Sequence, residues 1–271
     1  NTESFLTTRD NGRQNVLDLM TVRKSIEDID FNGGGADLDA TDVYYQGYSL
    51  GTISAQAFVA VANDTSQTDG NGDEIETDNI KSAFFSTPGG GIARFIESSP
   101  AFAANIINGL ASINITPDTS SYQLFLNTIQ AAADGFDGIN FVGDYADQGT
   151  PVFYYTASND QVIPVSQVPV DENDTLRPLA VPAQSALGNT VDIDSSVSFL
   201  SGAEPLLSES GATAIEAAGV YTVTQNAIRF RPGAGSHGGP CPATGLDGAT
   251  AFGSWSLGML DIDASVGGDN N

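Results

Sequence analysis

The chain has 271 residues, of which 40% are hydrophobic, so it can build one large domain or two small ones around a sizeable core. Its 34 acidic residues against 9 Lys and Arg give a formal charge of −25, which repels phosphates and anionic membranes and argues against nucleic-acid binding. The single cysteine, Cys241, excludes a disulfide within the chain, and no apolar run approaches the ~18 residues of a membrane helix.

The charge fits either a salt-adapted source or an ordinary acidic secreted protein. No signal peptide is seen. The first residues, NTESFLTTRDNGRQ, resemble the middle of a protein and include no initiator Met. We therefore expect a processed or trimmed chain.

The first predicted elements surround a tight turn. Residues 15–26 carry a helical apolar repeat, and the Gly- and Asp-rich segment 28–42 predicts a loop. Val43–Tyr45 then form a β-prone run typical of a buried parallel strand. After the turn GYSLG at 47–51, the Ala-rich segment 52–63 favours a helix.

The later elements continue the alternation. The acidic segment 64–79 predicts a surface loop, and Ala83–Ser86 predicts a buried strand. Residues 92–134 are helical in two or three pieces, 151–158 form a third strand, and 219–232 contain a final strand or hairpin. Since we find no repeat and no linker, the sequence predicts one domain over 1–271, of the α/β class with a mostly parallel sheet.

The turn GYSLG predicts an activated serine. A nucleophile elbow needs Gly two residues before and two after the Ser, and Gly47 and Gly51 meet this demand around Ser49. The flanking strand and helix supply the required context. Because G-x-S-x-G arises by chance in a chain with 30 Gly, an ordinary loop serine is the alternative.

A serine hydroxyl needs a neighbouring base, and the chain has one histidine, His237, in the loop GSHGG. An incidental loop histidine is the alternative. A carboxylate must orient the imidazole, and the order Ser, acid, His of α/β-hydrolases favours Asp160, just after a predicted strand. An Asn-Asp turn is the other interpretation of this residue, and Asp144 and Asp171 are reserves.

An oxyanion hole requires two backbone N–H groups, and one is expected from Leu50, the residue after the nucleophile. The usual second donor, from an earlier strand–helix loop, is not found. Gly33–Gly35 lie in the loop just before the elbow strand, which is the wrong place. We therefore expect that a second polypeptide completes the sheet, or that the chain is part of a longer enzyme.

Four stretches resemble a known family. GYSLGTISAQAF resembles the elbow of bacterial lipases, with Tyr48 and Thr52 in place of the usual His and Gly. AFFSTPGGGIARFIESSPAF, TASNDQVIPVSQ and GSHG are similar to bacterial extracellular, virulence-factor-type lipases of the α/β-hydrolase superfamily. Over roughly residues 15–240, this resemblance implies a Ser49–Asp160–His237 triad and an acyl-ester substrate. It also implies a secreted or cell-surface location and a parent enzyme that starts well upstream of Asn1.

Two further features leave alternatives open. The segment 92–134 is too long for a simple crossover and predicts either a helical cap that binds an acyl chain or ordinary core helices. Its apolar residues are Phe95, Ile96, Phe102, Ile106, Ile107, Leu110, Tyr122 and Phe125. The acidic loops containing Asp69, Asn71 and Asp73, or Asp30, Asn32, Asp37 and Asp39, have partial calcium-loop spacing, but we assign no metal to them.

These patterns together predict a serine carboxylic-ester hydrolase, lipase-like, that needs no cofactor. An acyltransferase with the same triad is the alternative among enzymes. A non-catalytic fragment or interaction module is the alternative from another class.

Overall fold

A computed structural model describes residues 4–68, 70–72, 79–99, 101–117, 119–157, 160–164, 201–215, 227–230 and 237, with the backbone alone at 213–215 and 227–230. The described helices are α1 (Phe5–Ser25), α2 (Leu50–Ala62), α3 (Ile92–Ser98), α4 (Ala103–Ala111), α5 (Ser120–Ala133), α6 (Val142–Asp147) and α7 (Ala203–Glu209), with 3₁₀ turns at Ile26–Asp28 and Gly138–Asn140. The described strands are β1 (Tyr45–Tyr48), β2 (Ala83–Ser86), β3 (Val152–Tyr155), β4 (Thr213–Ile215) and β5 (Ala227–Phe230).

The strands form one parallel sheet in the order β1-β2-β3-β5-β4. The register aligns Tyr48 with Ser86, Ser86 with Tyr155, and Tyr155 with Phe230. The carboxyl ends of four strands therefore lie side by side at one edge of the sheet. The predicted α/β class with a parallel sheet is confirmed.

The centre of the sheet is buried on both faces. Every residue of β2 (AFFS) and β3 (VFYY) is buried, as expected for central strands of a parallel sheet, which are largely hydrophobic. On one face, Phe85 packs against the ring of Tyr145 from α6, and the hydroxyls of Tyr145 and Tyr154 are 2.7 Å apart. Each such aromatic side chain contributes about 1.5–3 kcal/mol by leaving water. Helix α2 packs against α1, β1 and α6, so it is buried along almost its whole length.

Two early elements differ from their predicted bounds. Helix α1 begins at Phe5, ten residues before the predicted start, and Ser4 caps it by accepting the N–H of Thr7. Its first turn lies against α5 through an edge contact between Phe5 and Phe125. Strand β1 covers Tyr45–Tyr48 rather than Val43–Tyr45, because its residues pair with β2 only from Tyr45 opposite Ala83 onwards, although Val43 O already accepts the Lys81 N–H.

Later in the chain, Ala83–Ser86 is confirmed as a strand, and β3 is shorter than the predicted 151–158. The segment 219–232 contains β5, which pairs in parallel with both β3 and β4. Helices α6 and α7 and strand β4 were not predicted. None of the described helices is both long enough and apolar enough to cross a lipid bilayer.

The helical segment after β2 contains α3, α4 and α5. Helix α3 places Ile92 and Phe95 in the main core, and α5 packs against both α1 and α3. Leu110, Tyr122 and Leu126 form a second apolar cluster between α4 and α5. The segment therefore contributes core helices as well as a separate cluster, and its function as a cap stays a prediction.

Candidate active site

Ser49 lies at the point where β1 turns into α2. Tyr48 ends the strand, Leu50 begins the helix, and Ser49 between them has φ 51° and ψ −118°. A positive φ is uncommon for a residue with a side chain, costs on the order of 1–3 kcal/mol, and is found preferentially at functional sites. The Ser49 N–H continues the ladder to Ser86 O at 2.9 Å. The serine is thus held at the sheet edge in the sharp turn that a nucleophile elbow requires.

The two glycines of the turn are not equivalent. A Cβ on Gly47 would lie 2.8 Å from Gly51 O and 2.8 Å from the ring of Tyr45, so strand and helix approach too closely there for any side chain. Among the described residues, a Cβ on Gly51 would have the Tyr45 hydroxyl as its one neighbour within 4 Å, at 3.9 Å. A collision with neighbouring atoms therefore explains the predicted need for glycine at Gly47 but not at Gly51.

The lone histidine connects the serine to a carboxylate. His237 Nε2 lies 2.9 Å from Ser49 Oγ, and His237 Nδ1 lies 2.7 Å from Asp160 Oδ2. Because an ionised carboxylate only accepts hydrogen bonds, Nδ1 carries the ring proton and Nε2 is left to accept the proton of the serine hydroxyl. The structure thus brings together Ser49, His237 and Asp160, the three residues that the sequence predicts as a triad.

Asp160 is fixed from its other side. It is 3% exposed, and its Oδ1 accepts the backbone N–H groups of Val162 and Ile163 at 2.8 and 2.9 Å. Each carboxylate oxygen therefore has a distinct partner, which sets the plane of the group and leaves Oδ2 for the imidazole. Of the reserve acids, Asp144 lies in the first turn of α6, and Asp171 is outside the described residues.

Leu50 is the first residue of α2, where backbone N–H groups have no acceptor within the helix and the helix dipole favours negative charge. It is therefore suited to binding an oxyanion, a role that stays a prediction. Gly33–Gly35 are not, because their N–H groups donate to Asp30 and Asn32 within their own loop. No second donor is identified in the described part of the chain.

Three residues beside the relay were not predicted to take part. Tyr48 donates its hydroxyl to the backbone O of His237 at 2.8 Å, and the two rings pack with centroids 5.3 Å apart. Burial, and then the nearby charge of Asp160, raises the pKa of Tyr155 to about 12, so its hydroxyl stays neutral at physiological pH. Buried Thr87, directly after β2, also has φ 51°.

A signal for one of these residues was present in the sequence. Sites of parallel sheets gather at the carboxyl ends of strands, and Thr87 directly follows the predicted strand Ala83–Ser86. Tyr48 and Tyr155 end β1 and β3 in the structure, but neither ended a strand with the predicted bounds. Their partners lie far away along the chain, so the contacts themselves could not be derived.

Metal binding finds no support in the described residues, where no group of three or more His, Cys, Asp or Glu side chains could hold an ion. In the first acidic loop, Asp30 accepts three backbone N–H groups, and Asp37 accepts a backbone N–H and the Asn32 amide. Asp69 and Asp73 lie outside the described residues.

Comparison of the chain with protein-family models, with curated proteins and with solved structures found no match.

Proposed function

We propose that this chain is a serine carboxylic-ester hydrolase, of lipase or esterase type, built on an α/β-hydrolase scaffold. One observation carries the proposal: the hydrogen-bonded relay Ser49–His237–Asp160, with its serine in a strained turn at the carboxyl edge of a parallel sheet. The individual residue types are common, but a serine, an imidazole and a carboxylate in this order and at these distances form the arrangement that activates a hydroxyl.

In the first half-reaction, Ser49 Oγ attacks the carbonyl carbon of the ester, and its proton passes to His237 Nε2. The carbonyl oxygen becomes an oxyanion, which the Leu50 N–H stabilises at the start of α2. When the tetrahedral intermediate collapses, the bond to the alcohol oxygen breaks. The alcohol leaves with the proton from His237, and the acyl group stays on Ser49.

In the second half-reaction, a water molecule gives a proton to His237 and attacks the acyl carbon. The second tetrahedral intermediate collapses, Ser49 Oγ regains the proton, and the carboxylic acid leaves. Throughout, Asp160 keeps the proton on Nδ1 and stabilises the imidazolium that forms transiently. The cycle needs no redox group and no metal.

The proposed substrate is an ester with an apolar acyl group. A cavity of about 160 Å³ lies among α1, α3, α4 and α5 and is lined almost wholly by carbon, including Phe5, Ile92, Ile96 and Leu126. Small-molecule sites are typically lined by apolar side chains, and an apolar lining suits an apolar acyl group. The cavity supports the part of the proposal in which the segment 92–134 forms a cap that binds the acyl chain.

Two further parts of the proposal concern the surroundings of the enzyme. Strand β1 pairs only with β2 within the described residues, so a strand from a second polypeptide, or from another part of a longer enzyme, could extend the sheet beside the elbow. The resemblance to bacterial extracellular lipases supports a secreted or cell-surface location. The formal charge of −25 is compatible with a secreted and with a cell-surface location.

Covalent labelling tests the proposal. The purified protein should take up one equivalent of a fluorophosphonate probe on Ser49, and Ser49→Ala should take up none. Ser112→Ala is the matched control, because this exposed hydroxyl at the end of α4 donates to the nearby Gly109 O, and the variant should label like the wild type. A folded wild type that never takes up probe contradicts the proposal and favours a non-catalytic module. Product analysis in water and in glycerol then separates a hydrolase from an acyltransferase.

A further inference from the structure

The proposed base stands in a segment that offers few side chains to hold it. His237 is flanked by Gly235, Ser236, Gly238 and Gly239, and glycine gives a backbone freedom without packing. His237 Nδ1–H donates to Asp160 Oδ2, and this bond fixes one ring nitrogen but does not act on the backbone of His237. The hydroxyl of Tyr48 reaches that backbone and donates to His237 O at 2.8 Å.

Tyr48 also contacts the ring of the histidine. The two ring centroids are 5.3 Å apart and the planes are inclined by 47°, which lies within the range of favourable aromatic pairs. Tyr48 therefore contacts both the backbone and the imidazole of His237. These contacts restrict the position of the loop as well as the orientation of the ring.

Tyr48 lies next to the proposed nucleophile in the chain. It is the last residue of β1, paired in register with Ser86, and it directly precedes Ser49. The residue that holds the base and the residue that acts as nucleophile are therefore neighbours on one strand. A strand end that holds both residues would keep Ser49 Oγ and His237 Nε2 at their distance of 2.9 Å.

We propose that Tyr48 is a positioning residue, which fastens the backbone and ring of His237 to the strand that carries Ser49. The role rests on the proposed ester hydrolysis, since it concerns the distance between the nucleophile and its base. Tyr48 acts through His237 and takes no part in bond making. The position that is usually His in the resembling lipases thus holds, in this chain, a side chain long enough to bond the loop.

Kinetics of two variants test the assignment. Tyr48→Phe keeps the ring and removes the hydroxyl, and it should lower kcat for a short activated ester roughly three- to tenfold, as loss of one hydrogen bond does. Tyr48→Ala removes both contacts and should lower kcat on the order of 100-fold, because a displaced base is costly. KM should stay unchanged in Tyr48→Phe. Tyr44→Phe is the matched control, since its hydroxyl bonds Asp42 before β1 begins, and it should retain the wild-type kcat.

A second measurement does not depend on activity. Because the chain has one histidine, a protein with isotope-labelled histidine gives a single set of imidazole resonances that can be assigned without ambiguity. The set should be sharp and unique in the wild type and in Tyr44→Phe, and broadened or doubled in Tyr48→Ala. If the wild type neither hydrolyses esters nor takes up a fluorophosphonate, the proposed function fails while the resonances still report whether Tyr48 holds His237.

Three outcomes contradict the inference. One is a Tyr48→Phe enzyme with wild-type kcat. Another is a variant whose KM rises at constant kcat, which makes Tyr48 a substrate contact. The third is a Tyr48→Ala protein whose imidazole resonances match those of the wild type. Circular dichroism of each variant establishes that the comparison is made between folded proteins.

Discussion

Substituting the two elbow glycines one at a time tests whether each is required sterically or only matches the G-x-S-x-G pattern. In Gly47→Ala the new methyl would lie 2.8 Å from Gly51 O, a backbone atom that already accepts the Tyr45 hydroxyl at 2.6 Å. Since neither partner can yield without moving the strand from the helix, we expect a loss of about 1–3 kcal/mol in the free energy of unfolding. A displacement of Ser49 by about 1 Å should also lower kcat/KM on the order of 100-fold.

Gly51→Ala is the matched control. Its Cβ would find the nearest atom at 3.9 Å, and the backbone there is already helical, so alanine should raise the free energy of unfolding by about 0.4–1 kcal/mol. Urea titration of wild type and both variants gives the two differences, and ester hydrolysis gives the kinetic effect. Equal stabilities of Gly47→Ala and the wild type, or a large loss in Gly51→Ala, would refute the steric reasoning.

Three further predictions concern carboxylates. Asp160→Asn should lower kcat on the order of 10⁴-fold, because an amide can hold His237 in the wrong tautomer; steady-state kinetics that show less than a tenfold loss speak against the relay. Asp137→Asn should destabilise the fold by about 1–3 kcal/mol in urea titrations, since its two oxygens accept separate N–H groups at the start of α3 and an amide NH₂ cannot. The pKa of Asp30 is lowered, first by the Gly35 N–H and then by other N–H groups of its loop. The contribution of Asp30 to stability is therefore present above its unfolded pKa and lost as pH falls through its folded pKa. The free energy of unfolding of the wild type should exceed that of Asp30→Asn at neutral pH, and the difference should shrink on acidification. A difference that stays constant with pH contradicts this.

The candidate site could be predicted from the sequence because its residues leave few choices. The chain has a single histidine, and Ser49 and Asp160 each follow a predicted strand. The contact of Tyr48 with His237 could not be predicted, since it joins residues 189 positions apart whose meeting depends on the strand order. A sequence pattern identifies reactive side chains better than the residues that hold them in place.

The fold was predicted best where the apolar signal is continuous. Strand β2 matches its predicted bounds because all four residues are buried. The first half of α1 was missed because its polar residues carry no helical repeat and its stabilising contact, with Phe125, is distant in the chain. Strand β1 was misplaced because Gln46 and Gly47 are not β-prone, and the ladder with β2 sets its bounds instead.

Parallel pairing of Tyr48 with Ser86, and of Ser86 with Tyr155, has a consequence for how misfolded molecules behave. A slip of one residue along a strand moves the nucleophile by about 3.3 Å relative to the acid. The hydrogen bond between Ser49 and His237 does not survive a shift of this size, although helix content and compactness could remain nearly native. Catalytic turnover is therefore a sharper test of correct strand alignment in this molecule than any measurement of its secondary structure.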